Sequence, residues 1–340
     1  MKKLIALTLG IILAFTTFAF ASCGEPEQTD NGSVSVKYYS SGGDMLPMLK
    51  QGQLSIGLLP EPAATQITKM ANDKTWYRLD LQELYDGEEK SYPQAVMLVK
   101  QSLLNSYPNL VSKMSEAFNE NVDWAKNNVE SAINAISGVI AEGVTPSFNK
   151  NNLSSAVVDG CKIYWQDAQS AKPSVKKYID EITAIEPSSA KVVSDDFFYN
   201  GEALGEWAGD TVKVVAPDGA PALAISKFIS DNENFGTNLN FAYEVVASTN
   251  IGSAVQKGEG DIVIIPVNAG SKFYKANAND TYKMVSVITH GNLYIMSTEK
   301  INSLTELKDK TIGVIGQGLV PDLTFKVVLN KVNMAVKVAD

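Results

Sequence analysis

Short apolar strands that alternate with helical segments are the feature that most constrains the fold of this 340-residue chain. Residues 34–39 alternate like a strand, residues 40–44 form a turn, and residues 45–50 have helical spacing. The same order of strand, turn and helix recurs over 54–70 and again over 212–229. Such βαβ repetition predicts mainly parallel strands with helices on both faces of a sheet. The sequence therefore predicts an α/β fold.

The middle of the chain departs from this alternation. Apolar residues at helical spacing run from 109 to 140, and residues 151–185 are also predicted to be mainly helical. Residues 187–210 are rich in Ser, Asp and Gly, which predicts a surface connection. Strands and helices alternate again from residue 211 onward. The pattern thus predicts two α/β regions separated by a helical one.

An export signal is predicted at the start of the chain. Lys2 and Lys3 precede an apolar run that ends in small residues around Cys23. A membrane-spanning helix is the alternative, but a polar tail follows the run where a basic flank would be expected. Phe20 occupies a position that is usually aliphatic in lipoprotein signals.

We therefore predict a signal peptide over residues 1–23 and lipidation at Cys23, which would hold the protein on the extracytoplasmic face of a membrane. Residues 24–33 have no apolar side chain to bury. They are predicted to form a flexible tether between the lipid and the folded part.

The charge balance argues against nucleic acid as a partner. Without Lys2 and Lys3, the chain has 27 basic and 38 acidic side chains, a net charge that repels a polyanion. The sequence has no cluster of basic residues that would predict contact with lipid headgroups. Membrane contact is therefore expected through the lipid anchor alone. Cys161 is the only cysteine after Cys23, which excludes an internal disulfide and predicts a buried thiol.

Motifs of the common enzyme classes are absent from the sequence. It has no Walker A, GxSxG or HExxH motif, and a single histidine excludes a multi-histidine metal site. Glycines 313, 316 and 318 follow a predicted strand, as in a dinucleotide loop, but their spacing differs from that motif. We predict no catalytic residue, no cofactor and no metal, and we expect His290 to be a strand-end residue rather than a catalyst.

Six short motifs lie at predicted strand ends and turns of the chain: APDGAP at 216–221, KGEGD at 257–261, LKDKTIG at 307–313, GQG at 316–318, YYSSGGD at 38–44 and LPEPA at 59–63. Together they resemble the substrate-binding lipoproteins of ABC importers, in the branch that includes nitrate, sulfonate, taurine and thiamine-precursor binding proteins. The resemblance implies a type II periplasmic-binding-protein fold. Such a fold has two α/β lobes with mixed, mainly parallel sheets, two hinge crossovers and a small ligand between the lobes.

The order of the segments departs from that family. In the family, the part that resembles residues 211–340 comes first and the part that resembles 34–200 follows, whereas here the two parts are exchanged. Circular permutation would produce this order and is tolerated when the ends are close and exposed. Whether the order is natural, engineered or a product of sequence assembly stays open. If it is real, strand 34–39 should share a sheet with strand 311–315.

The exchanged order predicts the division into lobes. One lobe should be split, over residues 34–93 and 304–340, and the other should be continuous over 94–303. The two crossovers are expected near 92–94 and near 299–303. Hinge motion between the lobes should survive the rearrangement.

Ligands of open α/β sheets lie beyond the carboxyl ends of strands, next to helix N-termini. The resemblance places the same turns at the cleft. The predicted ligand contacts are Asp218, Gly219, Ala220, Pro221, Asn268, His290 and Asn292 on the continuous lobe, and Ser40, Ser41, Gly42, Glu61, Gln317 and Gly318 on the split lobe. The alternative is that the glycines only shape turns and that Asp44 and Asp322 only cap helices.

These turns carry carboxylates but no Lys or Arg, which favours a neutral or cationic nitrogen-containing ligand, such as a pyrimidine-like ring, over nitrate or sulfonate. An anion held only by backbone N–H groups stays open. We expect a monomeric lipoprotein that captures a small organic molecule by closure and delivers it to an ABC permease. The alternative is an enzyme, a sensor or a scaffold lipoprotein on the same fold.

Overall fold

The computed structural model describes residues 31–71, 73–86, 88–276 and 280–339. The predicted signal peptide, Cys23 and most of the predicted tether lie outside these residues. Two six-stranded sheets form in the described part of the chain. The strands are β1 (Ser33–Tyr39), β2 (Ile56–Pro60), β3 (Tyr77–Asp80), β4 (Ala95–Lys100), β5 (Ile163–Asp167), β6 (Thr211–Pro217), β7 (Asn240–Val246), β8 (Ile262–Pro266), β9 (Tyr282–Thr289), β10 (Leu293–Ser297), β11 (Thr311–Ile315) and β12 (Ala335–Val338).

Helices connect most of these strands. The α-helices are α1 (Gly42–Gln51), α2 (Ala63–Met70), α3 (Leu81–Tyr85), α4 (Gln101–Ser106), α5 (Leu110–Asn127), α6 (Val129–Gly138), α7 (Ser155–Gly160), α8 (Ala168–Ile185), α9 (Ala220–Leu223), α10 (Ser226–Asp231), α11 (Ile251–Gln256), α12 (Val267–Phe273) and α13 (Val320–Lys331). Short 3₁₀ helices cover Asp195–Phe197 and Leu304–Leu307. Among the described helices, none is both long enough and apolar enough to cross a membrane.

The first sheet is assembled from both ends of the chain. Its strand order is β12-β1-β11-β2-β10-β3, and β12, β1, β11 and β2 run parallel to one another. Strand β10 runs antiparallel to both β2 and β3. Val36 of β1 lies opposite Ile312 of β11, so the predicted pairing of strands 34–39 and 311–315 is confirmed.

The second sheet has the strand order β5-β9-β4-β8-β6-β7. Strand β6 is parallel to β7 and β8, whereas β4 is antiparallel to β8 and β9. Its residues point alternately to two faces, as the period of two in a strand requires. In β8, Ile262 and Ile264 share a core with α5, while Val263 and Ile265 share another core with α8. Helices on both faces and mixed sheets are therefore confirmed.

Two short crossovers connect the sheets and run side by side. The N–H of Gln94 donates to the carbonyl of Thr289 (2.9 Å), and the N–H of Tyr92 donates to the carbonyl of His290 (3.4 Å). The first crossover lies where it is expected, near 92–94. The second was expected near 299–303 and lies instead at 290–292.

This displacement corrects the predicted boundary between the lobes. Strand β10 was assigned to the continuous lobe, residues 94–303, but it pairs with β2 and β3 in the first sheet. The chain therefore leaves the second sheet after β9. The physical reason is that an apolar strand such as β10 fits either sheet by its pattern, and only its pairing partners determine where it lies.

Helix α8 follows a strand of the second sheet but packs on helices of the first. Tyr178 of α8 stacks on Tyr92 of the first crossover, with ring centroids 5.7 Å apart, and Tyr85 meets both rings edge-on at 5.5 and 5.8 Å. The hydroxyl of Tyr178 lies 2.7 Å from Oγ1 of Thr324 in α13. These three rings, the tyrosine cluster, join the two halves in one continuous core.

The predicted surface connection over 187–210 is wrong in one part. Phe197 and Phe198 are fully buried, and the ring of Phe197 lies 4.8 Å from that of Tyr274. Their neighbours Ser194, Asp195 and Asp196 are polar, so the composition of the segment hid the pair that anchors it to the second sheet.

Candidate functional site

The predicted contacts on the first sheet lie in adjacent turns at the carboxyl ends of its parallel strands. The N–H of Gly316 donates to the carbonyl of Tyr39 (2.9 Å), which joins the turn after β11 to the turn 40–42 after β1. A Cβ on Gly42 would lie 3.1 Å from the Cβ of Ala63, the first residue of α2. The turns that hold Ser40, Gln317 and Glu61 are therefore neighbours, as expected from the strand order.

The turn after β1 begins helix α1. Ser41, not Asp44, is its N-cap residue, because Oγ of Ser41 accepts the N–H of Asp44 at 3.3 Å. The same hydroxyl donates to Oδ2 of Asp44 at 2.8 Å. Capping explains why both residues stand here. Contact between Ser41 and a ligand stays a prediction.

Asp322 lies in the first turn of α13 and is not its N-cap residue, which is Leu319. Its carboxylate is fully buried and accepts from the N–H of Gly318 (2.8 Å), the hydroxyl of Tyr38 (2.9 Å) and the ammonium of Lys326 (2.8 Å). Burial, followed by the charge of Asp322, raises the pKa of Tyr38 to about 12. The N–H of Gly318 is thus already engaged. This network fixes the turn that holds Gln317.

Glu61 also has internal partners. Its side chain is 1% exposed, and Oε1 accepts from Nη1 of Arg78 at 2.7 Å and from Oγ1 of Thr65 at 2.9 Å. Oε2 accepts the N–H of Thr65 at 3.1 Å, so Glu61 caps the first turn of α2. Its predicted contact with a ligand stays a prediction.

Arg78 is a candidate that the pattern of turns did not reveal. It is the only arginine among 29 basic residues. Its guanidinium carbon lies 3.3 Å from the centroid of the Tyr294 ring, and its side chain is 36% exposed. A single arginine in a chain whose other basic residues are lysines indicates a specific role for that residue. The reason is that a guanidinium group stacks on rings and pairs with carboxylates in ways that an ammonium group does not.

The crossovers bring His290 and Asn292 to the junction of the two sheets. Nε2 of Gln94 donates to Oδ1 of Asn292 at 2.9 Å, and the N–H of Glu61 donates to the carbonyl of Asn292 at 3.1 Å. The imidazole of His290 stacks on the ring of Tyr164 at 3.4 Å with an angle of 8°. The two predicted contacts on this segment therefore lie between elements of both sheets.

Several polar atoms at the junction are buried without a partner. Oε1 of Gln94, Oγ1 of Thr289 and Nδ1 of His290 have no hydrogen bond within the described part of the chain. Burial lowers the pKa of His290 to about 3, so its imidazole is neutral. An unpaired buried polar atom costs about 1 to 3 kcal/mol, so a cluster of them needs a functional or structural reason.

A cavity of about 190 Å³ adjoins this junction on the side of helix α8. Its walls include His290, Gln166 of β5, Asp86 after α3 and Lys177 of α8, so both halves of the molecule contribute to it. The lining mixes polar and apolar side chains and carries both signs of charge. Nε2 of His290 lies 3.3 Å from Oε1 of Gln166.

On the second sheet, the turn after β6 holds four of the predicted contacts. Oδ2 of Asp218 accepts from the N–H (2.8 Å) and the hydroxyl (2.5 Å) of Ser147, while Oδ1 is buried and has no hydrogen-bond partner among the described residues. Burial raises the pKa of Asp218, and the bonds from Ser147 oppose that shift. Gly219 has φ of +104°, a conformation that favours glycine. Ala220 and Pro221 form the first turn of α9.

Asn268 lies at the start of α12, at the same edge of the second sheet. Its side chain is buried, and Nδ2 donates to the carbonyl of Ser189 at 3.3 Å. Asn268 is therefore covered by the segment that follows α8. Within the described residues, no group of three or more His, Cys, Asp or Glu side chains is arranged to hold a metal ion.

No protein-family profile and no curated protein matches this chain in sequence. Solved structures similar to it include NikA from Staphylococcus aureus in complex with Ni(L-His)₂, at 11% identity and a TM-score of 0.29, over 80% of this chain and 59% of NikA. The PBP AgaA from A. tumefaciens, in complex with agropinic acid, has 11% identity and a TM-score of 0.30, over 86% of this chain and 58% of AgaA.

A phosphate-binding protein of a phosphate ABC transporter from Streptococcus pneumoniae has 10% identity and a TM-score of 0.28, over 89% of this chain and 83% of that protein. The chain spans less than two thirds of the length of NikA and of AgaA. These identities and TM-scores assign no ligand to this chain.

Proposed function

We propose that this protein is an extracytoplasmic lipoprotein that captures a small organic molecule between two halves and delivers it to an ABC permease. The observation that carries the proposal is the pair of crossovers, which joins two sheets and concentrates buried, unpaired polar atoms where they meet. The turns predicted from the sequence lie at the strand ends on either side of this junction. Such an arrangement suits closure on a ligand, which is a hinge motion about two short segments.

The unpaired atoms favour a ligand that donates hydrogen bonds. Oδ1 of Asp218 and Oε1 of Gln94 can only accept, and the guanidinium of Arg78 is neutralised by Glu61. A neutral or cationic nitrogen-containing molecule supplies the missing donors. This supports the class of ligand that the carboxylates of the sequence favour.

We also propose that the protein binds the molecule without converting it and that it is a monomer. A lipid on Cys23 and the tether 24–33 would anchor it to the membrane. The proposal also includes the circularly permuted order, with one half of the molecule split between both ends of the chain. The pairing of β1 with β11 supports that division, with β10 added to the split half.

The experiment is to purify the protein without residues 1–23 and to identify the small molecule that it retains, by native mass spectrometry. The compound should raise the melting temperature, since a ligand bound only by the folded state stabilises it. Asp218→Asn should weaken binding by about tenfold, because a carboxylate bonded to a ligand contributes more than an amide does. Asp210→Asn, at an exposed position before β6, is the matched control.

Unchanged affinity in Asp218→Asn would remove the central role of this residue. Chemical conversion of the retained compound by the protein would contradict the proposal of binding without turnover and would indicate an enzyme.

A further inference from the structure

The carboxyl end of α7 rests against the first sheet beside the crossovers. Val157 and Val158 place α7 in the core of the second sheet. Its last residue, Gly160, accepts a hydrogen bond at its carbonyl from the hydroxyl of Tyr294 in β10, at 2.8 Å. We name this meeting point of Gly160 with Tyr294, Arg78 and Glu61 the α7 contact.

The α7 contact needs a residue without a side chain at position 160. A Cβ there would lie 2.9 Å from Cγ of Glu61, 3.0 Å from Oε1 of Glu61 and 3.4 Å from Nη2 of Arg78. The backbone of Gly160 is not among those with positive φ, so backbone freedom is not the reason for the glycine. Glycine in a helix is less favourable than alanine by about 1 kcal/mol, and close approach offsets that cost here.

The first-sheet side of the contact is held firmly. Glu61 is fixed by three hydrogen bonds, two from Thr65 and one from Arg78. Arg78 is fixed in turn between Glu61 and the face of Tyr294. The side chains next to Gly160 therefore cannot move aside without loss of bonds, and an added methyl group has to push the two halves apart.

We infer that Gly160, with Tyr294 and Arg78, positions the two halves in their closed arrangement, so that residue 160 controls how tightly the protein holds its ligand. This inference rests on the proposed function. The hydrogen bond from Tyr294 and the close approaches of Glu61 and Arg78 to Gly160 join α7 to the first sheet, so opening of the halves on this side breaks them together.

Arg78 provides a direct readout, because it is the only arginine in the chain. Phenylglyoxal modifies guanidinium groups, so mass spectrometry of the full chain in detergent follows one adduct at one site. Gly160→Ala should open the contact and speed this modification by about fivefold or more, since overpacking disfavours the closed arrangement. Gly138→Ala is the matched control: Gly138 ends α6, and an added Cβ would meet no heavy atom within 4 Å.

Tyr294→Phe is the second variant, for the case in which Gly160→Ala does not fold. It removes the hydroxyl that bonds to Gly160 and keeps the ring under Arg78, so a smaller acceleration of about twofold is expected. Thermal melting of each variant verifies that it is folded. Retention of the small molecule, measured by native mass spectrometry, should fall in both variants and not in Gly138→Ala.

The two proposals fail in different ways. If folded Gly160→Ala and Tyr294→Phe react with phenylglyoxal at the control rate while the unmodified protein retains a small molecule, only this inference is overturned. If both variants react faster but the unmodified protein never retains a small molecule, the proposed function fails and the positioning role of the α7 contact stands.

Discussion

The two halves of the molecule touch on opposite faces of the first sheet, and the two contacts differ in chemistry. On one face, the tyrosine cluster and helix α8 make a contact of buried rings. On the other face, the α7 contact consists of one hydroxyl, one carbonyl and an ion pair around a glycine. Apolar burial is non-directional and survives small shifts, whereas polar contacts at close approach do not.

This difference indicates which contact moves. Rings that slide by a fraction of an ångström keep most of their buried area, so the tyrosine cluster can act as the pivot. The hydrogen bond from Tyr294 to Gly160 is lost at once when the halves separate. We therefore expect opening on the α7 side and continuous packing on the α8 side.

Tyr178→Ala should have the largest effect, because it leaves a cavity in the pivot. We expect the free energy of unfolding to fall by about 3 to 5 kcal/mol, as for other large aromatic side chains removed from cores. Urea unfolding followed by circular dichroism measures the change. Tyr77→Ala, on the edge strand β3 where Tyr77 is 38% exposed, is the control and should cost less. A loss below about 1 kcal/mol for Tyr178→Ala would remove the distinction between the two contacts.

Arg78→Met, at the α7 contact, should lower the free energy of unfolding by an intermediate amount. It leaves the buried carboxylate of Glu61 with Thr65 as its remaining partner. Loss of a fully buried pair costs more, but Arg78 is one-third exposed, so we expect about 1 to 2 kcal/mol in urea unfolding. Lys90→Met breaks an exposed pair with Glu83 and serves as the comparison. Equal stability of the two variants would show that the pair at Glu61 contributes nothing specific.

Thr324→Val should have a smaller effect within the pivot itself. The change keeps the shape of the side chain and removes the partner of the Tyr178 hydroxyl, at about 1 kcal/mol. Tyr178→Phe in the same chain should recover part of that loss, because it removes the group left unpaired. A double-mutant cycle in urea tests this. Strictly additive losses would mean that the hydroxyls do not interact.

The smallest expected response is that of His290 to pH. Its folded pKa of about 3 is below the ordinary value, so the stability it contributes is complete above about pH 6.5 and is lost as the pH falls towards 3. The single imidazole of the untagged protein should show no NMR titration between pH 8 and 5. A midpoint near 6.5 would instead indicate that water reaches the junction between the two contacts.

Much of the fold follows from the sequence, because strands and helices have different periods. The alternation in β1 and β6 and the helical spacing in α5 were enough to predict these elements. The assignment of β10 was wrong because its apolar residues fit either sheet. Register and partner are tertiary properties that no local pattern contains.

The contacts within the candidate site could not be predicted from the same local patterns. Turns at strand ends predicted where Glu61 and Asp218 lie, yet their partners, Arg78 and Ser147, come from a strand and a distant loop. A charge on an edge strand has the same local pattern whether it faces water or another half of the molecule. Only the fold brings Arg78 within reach of Gly160.

The position of β12 and β1 has a practical consequence for single-molecule work. These strands form the edge of the first sheet that is farthest from β10 and β3, where the crossovers enter. At a strand spacing of about 4.8 Å, β12 lies four spacings from β10, a distance of about 20 Å. Surface linkers placed at residues 31 and 339 would therefore hold the molecule by the edge that lies away from the crossovers.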